Sequence, residues 1–315
     1  MSRIHEALKK AEQERAATQG GAPADGEVQT SATAYDPGPA MPLAAGNGSG
    51  SVATSNMPVP NITAPNMGAA FNLDSRCARY EWKPDPAAML FQNGDNNMLG
   101  TEEYRTLRSR LYHLREKQTL KTLLITSALP KEGKSFTSLN LAQVMVRQHG
   151  RRVLLIDADL RGPRLHLMLG TTAGTGLSDY LEGKNDEFSI MQRGPVDNLF
   201  FIPSGTGIAD PSELIGNGRM KLLMQRVEPL FDWIIVDSPP AVPVSDASVL
   251  AKTCDGVIIV VRSAVTPADI ARKAREEFPD EALIGVVLNG TRESPAEYQR
   301  YYYEAYQSKN GSNQS

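Results

Sequence analysis

Three short segments of this 315-residue chain gather the residue types that handle phosphate. The first is Ala128-Leu129-Pro130-Lys131-Glu132-Gly133-Lys134-Ser135, followed by the helical stretch FTSLNLAQVMVRQ. A Gly-Lys-Ser between a strand and a helix is an anion nest: loop amides and the helix N-terminus point at phosphate oxygens. Lys134 adds a mobile positive charge, and the Ser135 hydroxyl can ligate Mg²⁺. Pro130, Lys131, Glu132, Gly133, Lys134, Ser135 and Phe136 are therefore the candidate nucleotide-phosphate contacts. The strict pattern wants Gly at position 128, where Ala128 stands.

The second segment, Ile156-Asp157-Ala158-Asp159-Leu160-Arg161, sets two carboxylates two residues apart, which on extended chain turns them to the same side. The third, Val236-Asp237-Ser238-Pro239-Pro240, closes an apolar run with an acid, as does an element that holds Mg²⁺ through water. Three carboxylates brought to one edge repel one another unless a cation lies among them. Ser135, Asp159 and Asp237 are the candidate metal ligands.

Positioning these groups takes a sheet. Short continuous apolar runs fall at 122–127, 152–157, 199–203, 233–238, 256–262 and 283–289. Helical patterns separate most of them, at 134–149, 216–228, 245–253 and 266–277. Strands apolar on both faces and alternating with helices predict a doubly wound α/β domain with a mostly parallel sheet, its ligands at the strand C-terminal ends.

Outside that domain the composition changes. Residues 1–16 read as a short amphipathic helix, marginal alone in water, that either frays or docks a partner. Residues 17–96 read as a disordered linker: the stretch to residue 72 is rich in Gly, Pro, Ala, Ser and Asn and holds no Lys or Arg. Residues 73–98 are transitional, with Tyr80, Trp82 and Phe91 placed to wrap onto the domain. The domain itself is expected over 97–295, with a tail at 296–315.

A net charge of -3 with no block of like charge argues against a nucleic-acid partner. Two cysteines without a pairing pattern support neither a disulfide framework nor a zinc site, which fits a reducing cytoplasm. No run of 18 apolar residues occurs, so no membrane span is expected. Of ten tyrosines, five crowd into the tail as Tyr298, Tyr301, Tyr302, Tyr303 and Tyr306. Three consecutive tyrosines cannot share one helix face, so a buried aromatic stripe does not account for them.

With the phosphate loop, IDADLR and VDSPP in this order, the chain resembles the bacterial tyrosine kinases of the CpsD/CapB type from about Asn97 to Arg292. Glu102, Arg105 and Arg108 resemble that family's E-x-x-R-x-x-R helix, which implies subunit contacts in a ring-shaped homo-oligomer. GLSD at 176–179, PSEL at 211–214 and SDA at 245–247 are similar to further family segments, and Leu288-Asn289-Gly290 to its adenine-contacting one, with Asn289 the implied reader. Relatives of the MinD/ParA type carry a signature lysine where Leu129 stands here. The family often has Gly where Lys131 stands, and a lysine there touches phosphate or points to solvent.

The resemblance implies transfer of the ATP γ-phosphoryl group, with Mg²⁺, to the five tail tyrosines as phosphoacceptors. Asp157 is the candidate base, Asp159 its competitor, Lys134 the charge stabiliser, and Arg161 a group that orients substrate or contacts phosphate. It also implies a separate transmembrane activator or polysaccharide co-polymerase, a cytoplasmic location held at the inner membrane through that partner, and a role in capsule or exopolysaccharide synthesis. A MinD/ParA-like ATPase switch and a nucleotide-sensing scaffold without phosphotransfer are the alternatives.

Overall fold

The computed structural model describes residues 73–91, 100–148 and 150–291. The expected N-terminal helix at 1–16 and the tyrosine-bearing tail at 296–315 lie outside them, as do residues 17–72 and 92–96 of the expected linker.

The described chain begins with a helical turn, α1 (Leu73–Arg76), and a two-residue strand, β1 (Ala78–Arg79). Helix α2 (Thr101–Arg115) leads to β2 (Thr122–Ser127), α3 (Lys134–Val146) and β3 (Val153–Asp157). Then come α4 (Leu165–Leu169), α5 (Leu177–Leu181), β4 (Gln192–Arg193), β5 (Leu199–Ile202), α6 (Pro211–Gly216) and α7 (Arg219–Val227). The last elements are β6 (Trp233–Asp237), α8 (Asp246–Ala251), β7 (Gly256–Arg262), α9 (Ala268–Glu276) and β8 (Leu283–Asn289). All six expected strands form, within one residue of their expected ends.

One sheet runs in the order β1-β4-β5-β3-β6-β2-β7-β8. Every pairing is parallel except β4 with β5. The chain leaves β2 for β3 on one side and later builds β7 on the other. The order therefore reverses at the C-terminal end of β2, where open α/β sheets hold their ligands.

Alternating side chains explain the two buried layers. Leu124, Leu154, Ile156, Phe200, Ile234 and Val236 enter one core, covered by α5 to α9. Leu123, Ile125, Leu155, Phe201, Trp233 and Ile235 enter the other, beneath α2 and α3. Helix α3 is buried at every position but Phe136, as its nearly all-round apolar and small-residue sequence allows. The Trp233 Nε1 donates to Tyr112 Oη at 3.0 Å and the rings meet edge-on, fastening α2 to the sheet.

Residues 73–91 belong to this body and not to the linker expected over 17–96. The Tyr80 amide donates to the Arg193 carbonyl at 2.8 Å, Trp82 packs edge-on against Phe201, and Leu73, Trp82, Met89 and Phe91 are buried. The expected wrapping of Tyr80, Trp82 and Phe91 onto the domain is what the structure shows, although their apolar side chains are too sparse to show a period.

Candidate functional site: a phosphate loop with three carboxylates

The loop between β2 and α3 gets its shape from two residues with left-handed backbone. Gly133 sits at φ 96° as the N-cap of α3, and Lys131 at φ 67°. A Cβ on Gly133 would be strained at this φ and would stand 2.0 Å from Asn289 Nδ2, displacing that side chain from the loop. The left-handed turn at Lys131 is one that glycine adopts without strain; the Lys131 side chain is exposed. Ala128 needs no such freedom, since its φ is not positive, and it is fully buried. The departure from the strict glycine pattern is thus harmless.

Strand pairing brings the acids together. Asp157 is in register with Asp237 across β3 and β6, both are fully buried, and Asp159 lies just beyond, also buried. Lys134 reaches between them: Nζ is 2.6 Å from Asp159 Oδ2 and 3.5 Å from Asp237 Oδ2. Ser135 Oγ donates to Asp237 Oδ2 at 2.6 Å, and Ser138 Oγ to Asp237 Oδ1 at 2.9 Å. Ser138 was not expected, yet it follows Ser135 by three and Lys134 by four, which sets it on the same helix face.

The charges respond to burial. Burial alone would push the Lys134 ammonium down, but Asp237 and Asp159 outweigh it and hold the group above the usual lysine range. Burial, reinforced by Asp237, pushes Asp157 up to about 8. Burial raises Asp237 as well, against the pull of Lys134. Asp157 Oδ2 accepts the Leu165 amide at 3.1 Å, while its buried Oδ1 has no hydrogen-bond partner among the described residues.

These observations bear on cofactor fit. Amides at a helix N-terminus, a lysine ammonium and a hydroxyl beside a carboxylate suit a nucleotide phosphate chain with a divalent cation. Lys134 already stands as the cation that the three acids require. No cluster of three or more acidic, His or Cys side chains arranged to hold a metal by themselves occurs among the described residues. A hydroxyl and phosphate oxygens would have to complete the shell.

The remaining expected residues fall around this centre. The Asn289 Nδ2 donates to the Glu132 carbonyl at 2.9 Å, which ties the end of β8 to the loop. Phe136 turns its ring against Tyr104 of α2, so its backbone amide is what it offers the loop. Arg161 pairs with buried Asp246 at 2.7 Å, and Ser212 Oγ donates to the same carboxylate at 2.9 Å. Three segments far apart in sequence thus meet at the edge of the site, which no spacing could have revealed. On α2, Arg105 pairs with Glu102, and Arg108 donates to the Val144 carbonyl at 3.0 Å, capping the end of α3.

An AAA domain family profile matches residues 131–268. Tyrosine-protein kinase YwqD of Bacillus subtilis is 35% identical over 206 residues, covering 65% of this chain and 86% of YwqD. Tyrosine-protein kinase wzc of Salmonella typhimurium is 32% identical over 222 residues, 70% of this chain but only 31% of wzc. Among solved structures, the kinase domain of the Escherichia coli tyrosine kinase ETK superposes with a TM-score of 0.60 at 32% identity, covering 64% of this chain and 80% of that one. On an identity of that level spread over 86% of YwqD, the chain belongs to the family of bacterial tyrosine-protein kinases.

Proposed function

We propose that the chain transfers the γ-phosphoryl group of ATP to its own C-terminal tyrosines. The observation that carries this reading is Lys134 lodged among Asp157, Asp159 and Asp237 at the mouth of a phosphate loop. Lys134 turns from the carboxylates to the phosphates when nucleotide binds, and the loop amides take up charge that develops during transfer. Ser135, Asp159 and Asp237 would hold Mg²⁺, which would supply positive charge against the phosphates. An acceptor hydroxyl has a pKa of about 10 and needs a base. Asp157 is the base in this reading: its Oδ1 has no hydrogen-bond partner among the described residues and takes the proton once the carboxyl is ionised, so transfer rises with pH toward about 8. Arg161, fixed by Asp246, orients the incoming tyrosine or its phosphate.

Transfer runs between subunits of a ring built through Glu102, Arg105 and Arg108, and Asn289 faces the base of the nucleotide. Each phosphorylated tyrosine brings roughly -1.5 to -2 charges, so a filled cluster repels itself and the acidic site and opens the ring. The tail cycle regulates capsule or exopolysaccharide synthesis or export at the inner membrane, where a transmembrane co-polymerase activates the kinase. Among the described residues no helix is long and apolar enough to cross a membrane.

The test of transfer between subunits mixes two chains. One is Lys134→Ala with its tail intact, the other has intact Lys134 and Phe at all five tail tyrosines. Phosphotyrosine on the Lys134→Ala chain supports transfer between subunits, and its absence while the wild-type chain labels itself would place transfer within one chain.

A further inference from the structure

We propose that Glu132 is a positioning residue, whose buried carboxylate, tied to Thr266, holds the phosphate loop in its nucleotide-binding shape before nucleotide arrives. The inference rests on reading that loop as a nucleotide phosphate site.

An acidic side chain in an anion nest is at first sight a fault, because it would repel the phosphates it helps to enclose. The structure shows how the repulsion is avoided. Glu132 is only 3% exposed, and both carboxylate oxygens are occupied by protein donors. Oε2 accepts the amide of Leu129, three residues back in the same loop, at 2.7 Å. Oε1 accepts the hydroxyl of Thr266, from the segment joining β7 to α9. The Thr266 hydroxyl oxygen in turn accepts the Arg262 amide at 2.9 Å, which fixes its direction. The backbone carbonyl of Glu132 is held by Asn289, whose own carbonyl takes the Ser263 amide at 2.8 Å. One residue is therefore pinned at three points, to its own loop, to the end of β7 and to the end of β8.

Two consequences follow. The carboxylate satisfies a loop amide that lies outside the row facing the ligand, leaving the amides of Gly133 and the first turn of α3 for phosphate. It also ties a loop that carries a left-handed non-glycine residue, Lys131, to the ends of β7 and β8, so the strained turn is kept in the absence of ligand. Neither effect is specific to the transition state. Loss of the brace is expected in ATP affinity and KM, not in the rate at saturation.

The experiment titrates the nucleotide-free full chain with MgATP by calorimetry and measures KM and kcat for phosphotransfer. Thr266→Val and Glu132→Ala are each expected to weaken binding about tenfold. The double variant is expected to bind no more weakly than Glu132→Ala alone, because that change already removes the bond to Thr266 together with the one to the Leu129 amide. Thr266→Ser, which keeps the hydroxyl, restores affinity to within about threefold, and kcat in Thr266→Val stays within about threefold of wild type. Unchanged affinity in Thr266→Val, an additive loss of about a hundredfold in the double variant, or tighter binding in Glu132→Ala would each overturn the brace. If Glu132→Ala does not fold, the valine and serine variants at 266 decide the matter. Binding that disappears in Lys134→Ala but is untouched by Thr266→Val sinks the brace alone; a wild-type chain that binds no MgATP sinks the nucleotide reading and the brace with it.

Discussion

Asp157 and Asp237 stand in register at the ends of neighbouring parallel strands, both fully buried, with one ammonium, that of Lys134, serving the acid cluster. Two carboxylates so placed cannot both be ionised cheaply, and the protein holds Asp157 protonated well above the usual carboxylate range. A site poised in this way carries its own pH dependence.

The folded chain keeps the Asp157 proton up to about pH 8, whereas the unfolded chain releases it near the ordinary value of 3.8. Between those limits the unfolded state binds fewer protons, so this group lowers stability as pH rises. Asp157→Asn removes that loss and keeps an acceptor for the Leu165 amide. Urea unfolding without nucleotide is expected to show the variant gaining on wild type from pH 4 to pH 8 and levelling above. Phosphotransfer in the same variant is expected to fall by about 10² or more.

Lys134→Ala leaves Asp159 and Asp237 without their cation. Removing one partner of a buried ion pair costs about 3–5 kcal/mol. The lysine stays charged across the accessible pH range, since its folded-state affinity for the proton is raised above an ordinary value of 10.5. The pH dependence of the loss therefore comes from Asp237, whose proton affinity burial raises: the loss is large at pH 8 and smaller at pH 5. Denaturant midpoints of the two chains at those pH values check this.

Arg161 depends on Asp246, a carboxylate 1% exposed that also accepts from Ser212. Asp246→Ala is expected to cost about 2 kcal/mol in stability, because it leaves the Ser212 hydroxyl without its acceptor. Arg161→Ala and Asp246→Ala are each expected to lower phosphotransfer about tenfold or more, with the double variant no worse than the poorer single one. Additive losses in that cycle would separate Asp246 from the function of Arg161.

The segment 73–91 is structural. Trp82→Ala is expected to cost about 3 kcal/mol by leaving a cavity against Phe201. Gly194→Ala is expected to be comparably harmful, since its Cβ would lie 2.1 Å from the Trp82 ring. Removal of residues 1–91 should lower the thermal midpoint relative to removal of residues 1–72, and equal midpoints would contradict this account.

Much of this was legible in the sequence because the relevant signals are local. Strands buried on both faces read as unbroken apolar runs, and the Gly-Lys-Ser loop and the two strand-end acids announce themselves by residue type. What was illegible depends on contacts between distant segments. Thr266 lies 134 residues from Glu132, and Ser212 and Asp246 lie 51 and 85 residues from Arg161. Tyr80, Trp82 and Phe91 mark a stretch that can wrap onto the domain, but its apolar residues follow neither a helical nor a strand period, so the point where the folded body begins, before residue 97, depends on contacts with distant segments. Ala128 looked like a departure from the motif because the pattern records glycine without recording that only a positive φ demands it.

The central claim is that the Lys134 site phosphorylates the chain's own tail. The most direct measurement is phosphotyrosine mapping by mass spectrometry after incubation with MgATP, in wild type and in Lys134→Ala, with and without the cytoplasmic segment of a transmembrane partner. Phosphate on Tyr298, Tyr301, Tyr302, Tyr303 and Tyr306 that is absent from Lys134→Ala is the predicted result. ATP hydrolysis with those five tyrosines unmodified under both conditions would contradict it and favour a nucleotide-driven switch without phosphotransfer.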